Sequence, residues 1–156
     1  MVVCPLCRTP MNAVKISGVE IDFCRQGCKG LWFDNYELIK LDEVHEGSGD
    51  ELQEILSAQL VDDTRSHKLT CPRCDIPLKR RKYRAGSDVE IDTCYGCNGI
   101  FLDSGELAVI RANYEEIQKK SAEYMNHVGD KLAAHATPQT PDRGVGILSS
   151  LFGRRR

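Results

Sequence analysis

The sequence predicts a small α+β fold. It is assembled from two tandem copies of one cysteine-bearing hairpin unit, joined by a helical linker and followed by a long helix and a tail. Three observations predict it. The phrase VEIDFC at 19–24 returns as VEIDTC at 89–94. Eight cysteines fall into four close pairs with none left over: Cys4 and Cys7, Cys24 and Cys28, Cys71 and Cys74, Cys94 and Cys97. Short strand-period stretches stand between the pairs, and amphipathic helical patterns follow them. The 156 residues suit one ordinary domain or two very small ones.

The first unit occupies residues 1–46. Residues 11–16 and 19–23 flank Ser17-Gly18, a two-residue turn signal between two strands. In VEID, Val and Ile face inward and Glu and Asp outward, because strand side chains alternate. Gly30 follows the last cysteine closely and is expected to permit the backbone turn that closes the loop. The bulky run Leu31, Trp32 and Phe33 comes next. Asp34-x-x-Glu37 then reads as a helix start, with Asp34 capping free amides and Glu37 reaching back.

Residues 47–67 form the linker. Gly47-Ser48-Gly49 is a flexible join, and residues 50–60 read as a helix capped by Asp50-x-x-Gln53. Leu52, Ile55, Leu56 and Leu60 make its apolar face. The second unit, residues 68–103, repeats the first. Pro72 matches Pro5, Gly99 matches Gly30, Asp103 matches Asp34, and Glu106-Leu107 matches Glu37-Leu38. Its strands span 78–84 and 89–93, and Ile100, Phe101 and Leu102 replace the earlier apolar run. The spacing changes fall at loops, C-x3-C against C-x2-C and a longer gap in copy two, with cysteines and flanks retained, as in a duplicated structural unit.

A long helix is expected over 104–136, carrying Leu107, Ile110, Tyr114, Ile117, Tyr124, Val128 and Leu132 at mostly helical spacing. So small a unit cannot cover all of that stripe. The helix is therefore expected to fold back on the first unit or to form a homodimer. Residues 137–156 are Pro- and Gly-bearing, a flexible tail. Within it Ile147, Leu148, Leu151 and Phe152 could share one helical face ahead of Arg154 to Arg156, a candidate docking peptide for a protein partner.

The cysteine spacing carries the chemistry. C-x2-C places two thiolates on one tight turn, and two such turns supply four sulfurs to a tetrahedral ion in a closed site. Four thiolates suit zinc or iron. Arg8 and Asp75, where rubredoxin-like sites carry glycine, favour zinc. The expected cofactor is two structural zinc ions, one per repeated unit; pairs mixed between the copies and a redox-active C-x-x-C are the alternative readings of the same cysteines. A unit of about 40 residues rarely buries enough surface to fold alone. Zinc contributes roughly 10–16 kcal/mol of binding free energy to such folding. The four histidines lie outside the repeats and are not needed as ligands.

The pattern C-P-x-C, a strand ending in cysteine, C-x2/3-C, then G-x-W/F-x-D-x-x-E-L resembles the transcription-factor-IIB-type zinc-ribbon family over Cys4 to Leu38 and Cys71 to Leu107. The resemblance implies one zinc ion on Cys4, Cys7, Cys24 and Cys28, another on Cys71, Cys74, Cys94 and Cys97, and, more weakly, nucleic-acid binding.

Composition narrows the function classes. The formal net charge of −2 supplies no global field toward nucleic acid or an anionic membrane. No signal peptide or transmembrane segment is expected, and the reading is a cytoplasmic protein. Closed four-cysteine sites keep no position for a catalytic water, and no nucleophile–base pair or phosphate loop stands out, so no enzyme is expected. Two binding readings remain. Lys79, Arg80, Arg81, Lys82, Tyr83 and Arg84 make an exposed cationic strand with one aromatic for stacking, a nucleic-acid surface. The family resemblance and this strand agree, so nucleic-acid association through copy two is the expected function; the alternative, a protein–protein adaptor, rests on the leftover helical stripe and the terminal peptide.

Overall fold

The computed structural model describes residues 1–60 and 68–135. The expectations for Ile147, Leu148, Leu151 and Phe152, for the rest of the tail and for the end of the linker lie outside the described residues. Three strands come from each copy: β1 (Asn12–Ile16), β2 (Val19–Phe23) and β3 (Leu31–Phe33), then β4 (Lys79–Lys82), β5 (Glu90–Thr93) and β6 (Ile100–Leu102). Ser17 and Gly18 both have positive φ, 47° and 93°. A two-residue hairpin turn needs that conformation to match strand twist. The longer gap of copy two forms a wider loop, closed where the Tyr83 amide donates to the Val89 carbonyl at 2.9 Å.

All six strands form one sheet in the order β1-β2-β3-β6-β5-β4. The order reads as a mirrored pair of triplets that meet at β3 and β6, antiparallel, with Trp32 opposite Phe101, Leu31 opposite Leu102 and Phe33 opposite Ile100. The runs LWF and IFL are therefore the central strands. They are apolar throughout because both faces of the sheet are covered at its centre. On one face Val14, Ile21, Leu31, Phe33, Ile91 and Leu102 join a core shared by both copies and capped by helices. On the other, Trp32 and Phe101 pack among cysteines of both quartets.

The helices differ from expectation in their limits. α1 (Asp50–Leu56) ends four residues early. Its N-cap is Gly49 at φ 112°, so Asp50 is a first-turn acid next to the helix dipole rather than the cap. Leu52 and Ile55 are buried in the core, whereas Leu60 is exposed. The single long helix is instead two, α2 (Glu106–Ala112) and α3 (Tyr114–His135), broken at Asn113, whose φ of −112° and ψ of 13° leave the helical region. α2 packs into the core through Leu107 and Ile110, and α3 contributes Ile117 alone among its buried residues. Beyond that turn Tyr124, Met125 and Leu132 are exposed. The start of the stripe, Tyr114 and Ile117, meets the first copy; beyond Ile117 it does not fold back on that copy among the described residues.

The expected capping boxes are half present. The Asp34 amide donates to Glu37 Oε2 at 2.7 Å, and the Asp103 amide to Glu106 Oε2 at 2.8 Å. Gly105, however, is the N-cap of α2, and the Asp34 carboxylate turns away from the helix start to accept from the Trp32 indole N–H at 2.9 Å. Buried polar contacts tie the copies together. Arg111 of α2 donates to the carbonyls of Val44 and Glu46 at 2.7 and 2.8 Å, and to that of Leu41. The Tyr83 hydroxyl donates to Asp42, which Arg84 also approaches at 3.4 Å. Burial, joined by Asp42, pushes the Tyr83 phenol up.

Candidate metal centres

Each quartet is held by two turns of the same design. In the first turn of copy one, the Cys4 amide donates to the Thr9 carbonyl and the Arg8 amide to the Cys4 carbonyl. In copy two, Cys71 and Asp75 make the matching bonds. In the second turn, the Cys24 amide donates to the Gly30 carbonyl and the Cys94 amide to that of Gly99, each at 2.9 Å. The residue just after the last cysteine of every turn lies in the left-handed region: Arg8, Lys29, Asp75 and Asn98, with φ from 56° to 63°. These four residues, rather than Gly30 and Gly99, reverse the chain. The role expected of the two glycines is therefore corrected. They have no left-handed φ, and their missing side chains admit an aromatic ring from the opposite copy. A Cβ on Gly99 would lie 2.2 Å from Trp32 Cζ2, and one on Gly30 would lie 2.5 Å from Phe101 Cζ.

The sulfurs converge. Cys4, Cys7, Cys24 and Cys28 have Sγ atoms all within 4.8 Å of one another, and so do Cys71, Cys74, Cys94 and Cys97. Cys4 to Cys28 and Cys7 to Cys24 measure 3.4 Å, and Cys71 to Cys97 measures 3.7 Å. A zinc–sulfur bond of about 2.3 Å in a regular tetrahedron puts sulfurs about 3.8 Å apart, so the cages fit the ion. Gly27 lines the first cage so closely that a Cβ there would sit 2.6 Å from Cys24 Sγ and 2.7 Å from Cys7 Sγ. Hydrogen bonding to Cys4 pulls Cys28 down to about 5 and pushes Cys4 far up. Burial moves Cys24 up to about 11 and Cys71 up to about 12. Backbone amides of Cys97 and Gly96 overcome burial to bring Cys94 down to about 7. Four thiols this close favour a shared cation over four separate protons.

Zinc bound here is structural. All four positions of each tetrahedron are taken by protein sulfur, so the ion supplies cross-linking and no Lewis-acid site. The eight cysteines are all free of disulfides.

The polar residues around the cages form a network that sequence reasoning did not find. Asp22 and Asp92, expected to face outward or to support the cysteine ligands beside them, are largely buried. Asp92 pairs with Arg80 at 3.4 Å. Asp22 takes Arg73 Nη2 at 3.1 Å. Arg73 also grips Asp34 with two bonds, 3.2 Å from Nε and 2.9 Å from Nη2. Burial pushes the Asp22 carboxyl up, against the pull of Arg73. Arg73 stands where copy one has Leu6, and that mismatch within C-P-x-C was the available signal.

The proposed nucleic-acid strand is split by the fold. Lys79, Arg80, Arg81 and Lys82 are exposed along β4, an edge of the sheet. Tyr83 is buried against Asp42, so the expectation that its ring is open for stacking does not stand. The Arg84 guanidinium lies 5.2 Å from the Tyr83 ring centre and 5.8 Å from that of Tyr114, part of the same contact between copies. Lys82 has Glu90 at 3.7 Å. Among the described residues no helix is long and apolar enough to cross a membrane.

A family model described as transcription factor zinc-finger matches residues 3–43 and 70–112, one match per copy. No curated protein matches the chain, and no solved structure does.

Proposed function

Starting from the fact that the chain belongs to the transcription factor zinc-finger family, we propose that it is a non-enzymatic zinc-held scaffold acting as a protein–protein adaptor. The observation that carries this reading is α3. It leaves the core after Ile117 and holds Tyr124, Met125 and Leu132 exposed on a helix of 22 residues. An amphipathic helix whose outer face is left uncovered by the described residues suits helix-in-groove recognition, or pairing with a second copy of the chain. Burial of Tyr83 and the pairing of Arg80 and Arg84 leave the cationic strand less to offer a nucleic acid. A cytoplasmic, reducing setting belongs to the same proposal, because the cysteines gather as metal quartets rather than disulfides.

A second reading is nucleic-acid association through β4. Its support is the exposed run Lys79 to Lys82 on an open edge, together with the family's description. Parallel photocrosslinking separates the two. A photoreactive residue replaces Met125 in one variant and Lys82 in another. Protein adducts at 125, including an adduct of twice the chain's mass, support the adaptor. Nucleic-acid adducts at 82 with none at 125 favour the second reading and defeat the first.

A further inference from the structure

The two cages are separated in sequence but not in packing. Cys4 and Cys24 of the first and Cys71 and Cys94 of the second belong to one buried cluster, with Trp32 and Phe101 at its centre. Each aromatic comes from one copy and rests on the other copy's closing glycine. Trp32 lies against Gly99, two residues after Cys97, and Phe101 lies against Gly30, two residues after Cys28. These contacts are so close that a turn which opens at one cage removes the surface on which the other copy's central strand is seated.

A second link runs through Arg73. Its backbone lies between the ligands Cys71 and Cys74, and its amide donates to Cys71 Sγ at 3.4 Å. Its side chain reaches Asp22, two residues before Cys24, and Asp34, which holds the Trp32 indole. The position of Arg73 is set by the second cage, and its three bonds fall on Asp22 of β2 and on Asp34 just after β3, in the copy that holds the first.

We infer that the two zinc sites are thermodynamically coupled across the β3–β6 junction, with Arg73 as the positioning residue that links them. Filling either site orders the surface that the other needs and raises the other's affinity for zinc. Linkage requires the same factor in both directions. Two hairpin units with separate cores would show no such factor.

The test uses the full chain and competition for zinc with a chromophoric chelator. One variant lacks site two, Cys94→Ser with Cys97→Ser. One lacks site one, Cys24→Ser with Cys28→Ser. Each surviving site is expected to bind zinc about tenfold or more weakly than in the intact protein, by matching factors, within the usual range for coupled sites. Affinity within twofold of the intact value at both surviving sites overturns the inference. Arg73→Gln keeps all eight cysteines and guards against general misfolding. It is expected to bind two zinc ions but release them in two resolved steps, where the intact protein releases both in one. Release that stays in one step at unchanged affinity removes Arg73 from the link.

Discussion

Gly99→Ala isolates the contact that joins the two copies. The backbone at Gly99 does not lie in the left-handed region, so alanine introduces no φ strain there. The whole effect is steric. The new methyl would lie 2.2 Å from Trp32 Cζ2 and 2.8 Å from Cη2, far inside van der Waals contact. Trp32 is 0% exposed and cannot swing into solvent. Overpacking a core in this way costs about 1–3 kcal/mol, and so deep an overlap belongs at the upper end. Against it stands a gain of about 0.4–1 kcal/mol from the stiffer unfolded chain. The net expectation is about 2 kcal/mol of destabilisation. Urea unfolding at fixed free zinc would read it, since typical slopes of about 1–3 kcal/mol per M turn that loss into a midpoint shift of about 1 M. Trp32 is the chain's one tryptophan, so its fluorescence reports the contact itself. Gly129→Ala is the control. A Cβ there meets nothing within 4 Å, and it lies past the buried part of α3, so alanine should leave the unfolding midpoint unchanged. In a Trp32→Leu background the ring is gone and Gly99→Ala should cost little. A Gly99→Ala protein as stable as the parent, or an equal loss in both backgrounds, would refute the reasoning.

Other expectations follow from the same geometry. Ile117→Ala should cost about 2–5 kcal/mol in the same urea assay, because its side chain is the buried anchor of α3. Truncation after Lys120 should leave the unfolding midpoint unchanged, since no later α3 residue is buried; a marked drop would mean that the end of α3 is covered after all. Stability should decline above pH 10, the ordinary tyrosine value, because only the unfolded chain then releases the Tyr83 proton. Tyr83→Phe should flatten that alkaline decline in a pH series of unfolding midpoints, while lowering stability at neutral pH by leaving buried Asp42 with only the longer bond from Arg84. Zinc removal by a strong chelator should abolish the cooperative transition and expose Trp32, seen as a red-shifted emission, and re-addition of two equivalents should restore both.

The reading that ribbons in a zinc protein of this family act through binding leaves β4 with a bland role beside the sharp one. Long cationic side chains on an exposed edge also discourage strand pairing between molecules. The Arg81 guanidinium donates to the carbonyls of Lys82 and Tyr83 at 3.2 and 3.4 Å, which occupies backbone acceptors at or beside that edge.

The four cysteine pairs were legible from spacing, because a tight C-x2-C turn brings two sulfurs together whatever the rest of the chain does, and the repeat of the whole unit pointed to one quartet per copy. The Ser17-Gly18 hairpin was legible for a similar reason: its turn demands positive φ over two residues. So was the burial of Leu52 and Ile55, through helical period. Local rules reach only as far as local geometry. The pairing of β3 with β6 depends on two segments about 70 residues apart in sequence, and only the tertiary structure decided it. With that pairing came every feature that depends on it: Gly30 and Gly99 as seats for rings, Arg73 as a bridge to Asp22 and Asp34, and Tyr83 and Arg84 turned inward to Asp42. The break at Asn113 was equally hidden, since the apolar stripe runs through it without a proline or glycine to mark the change. By itself the sequence determined which residues hold the metal. The tertiary structure decided that the two metal units share one sheet and one core, because mutual burial of two apolar triplets is a property of their meeting and of neither triplet alone.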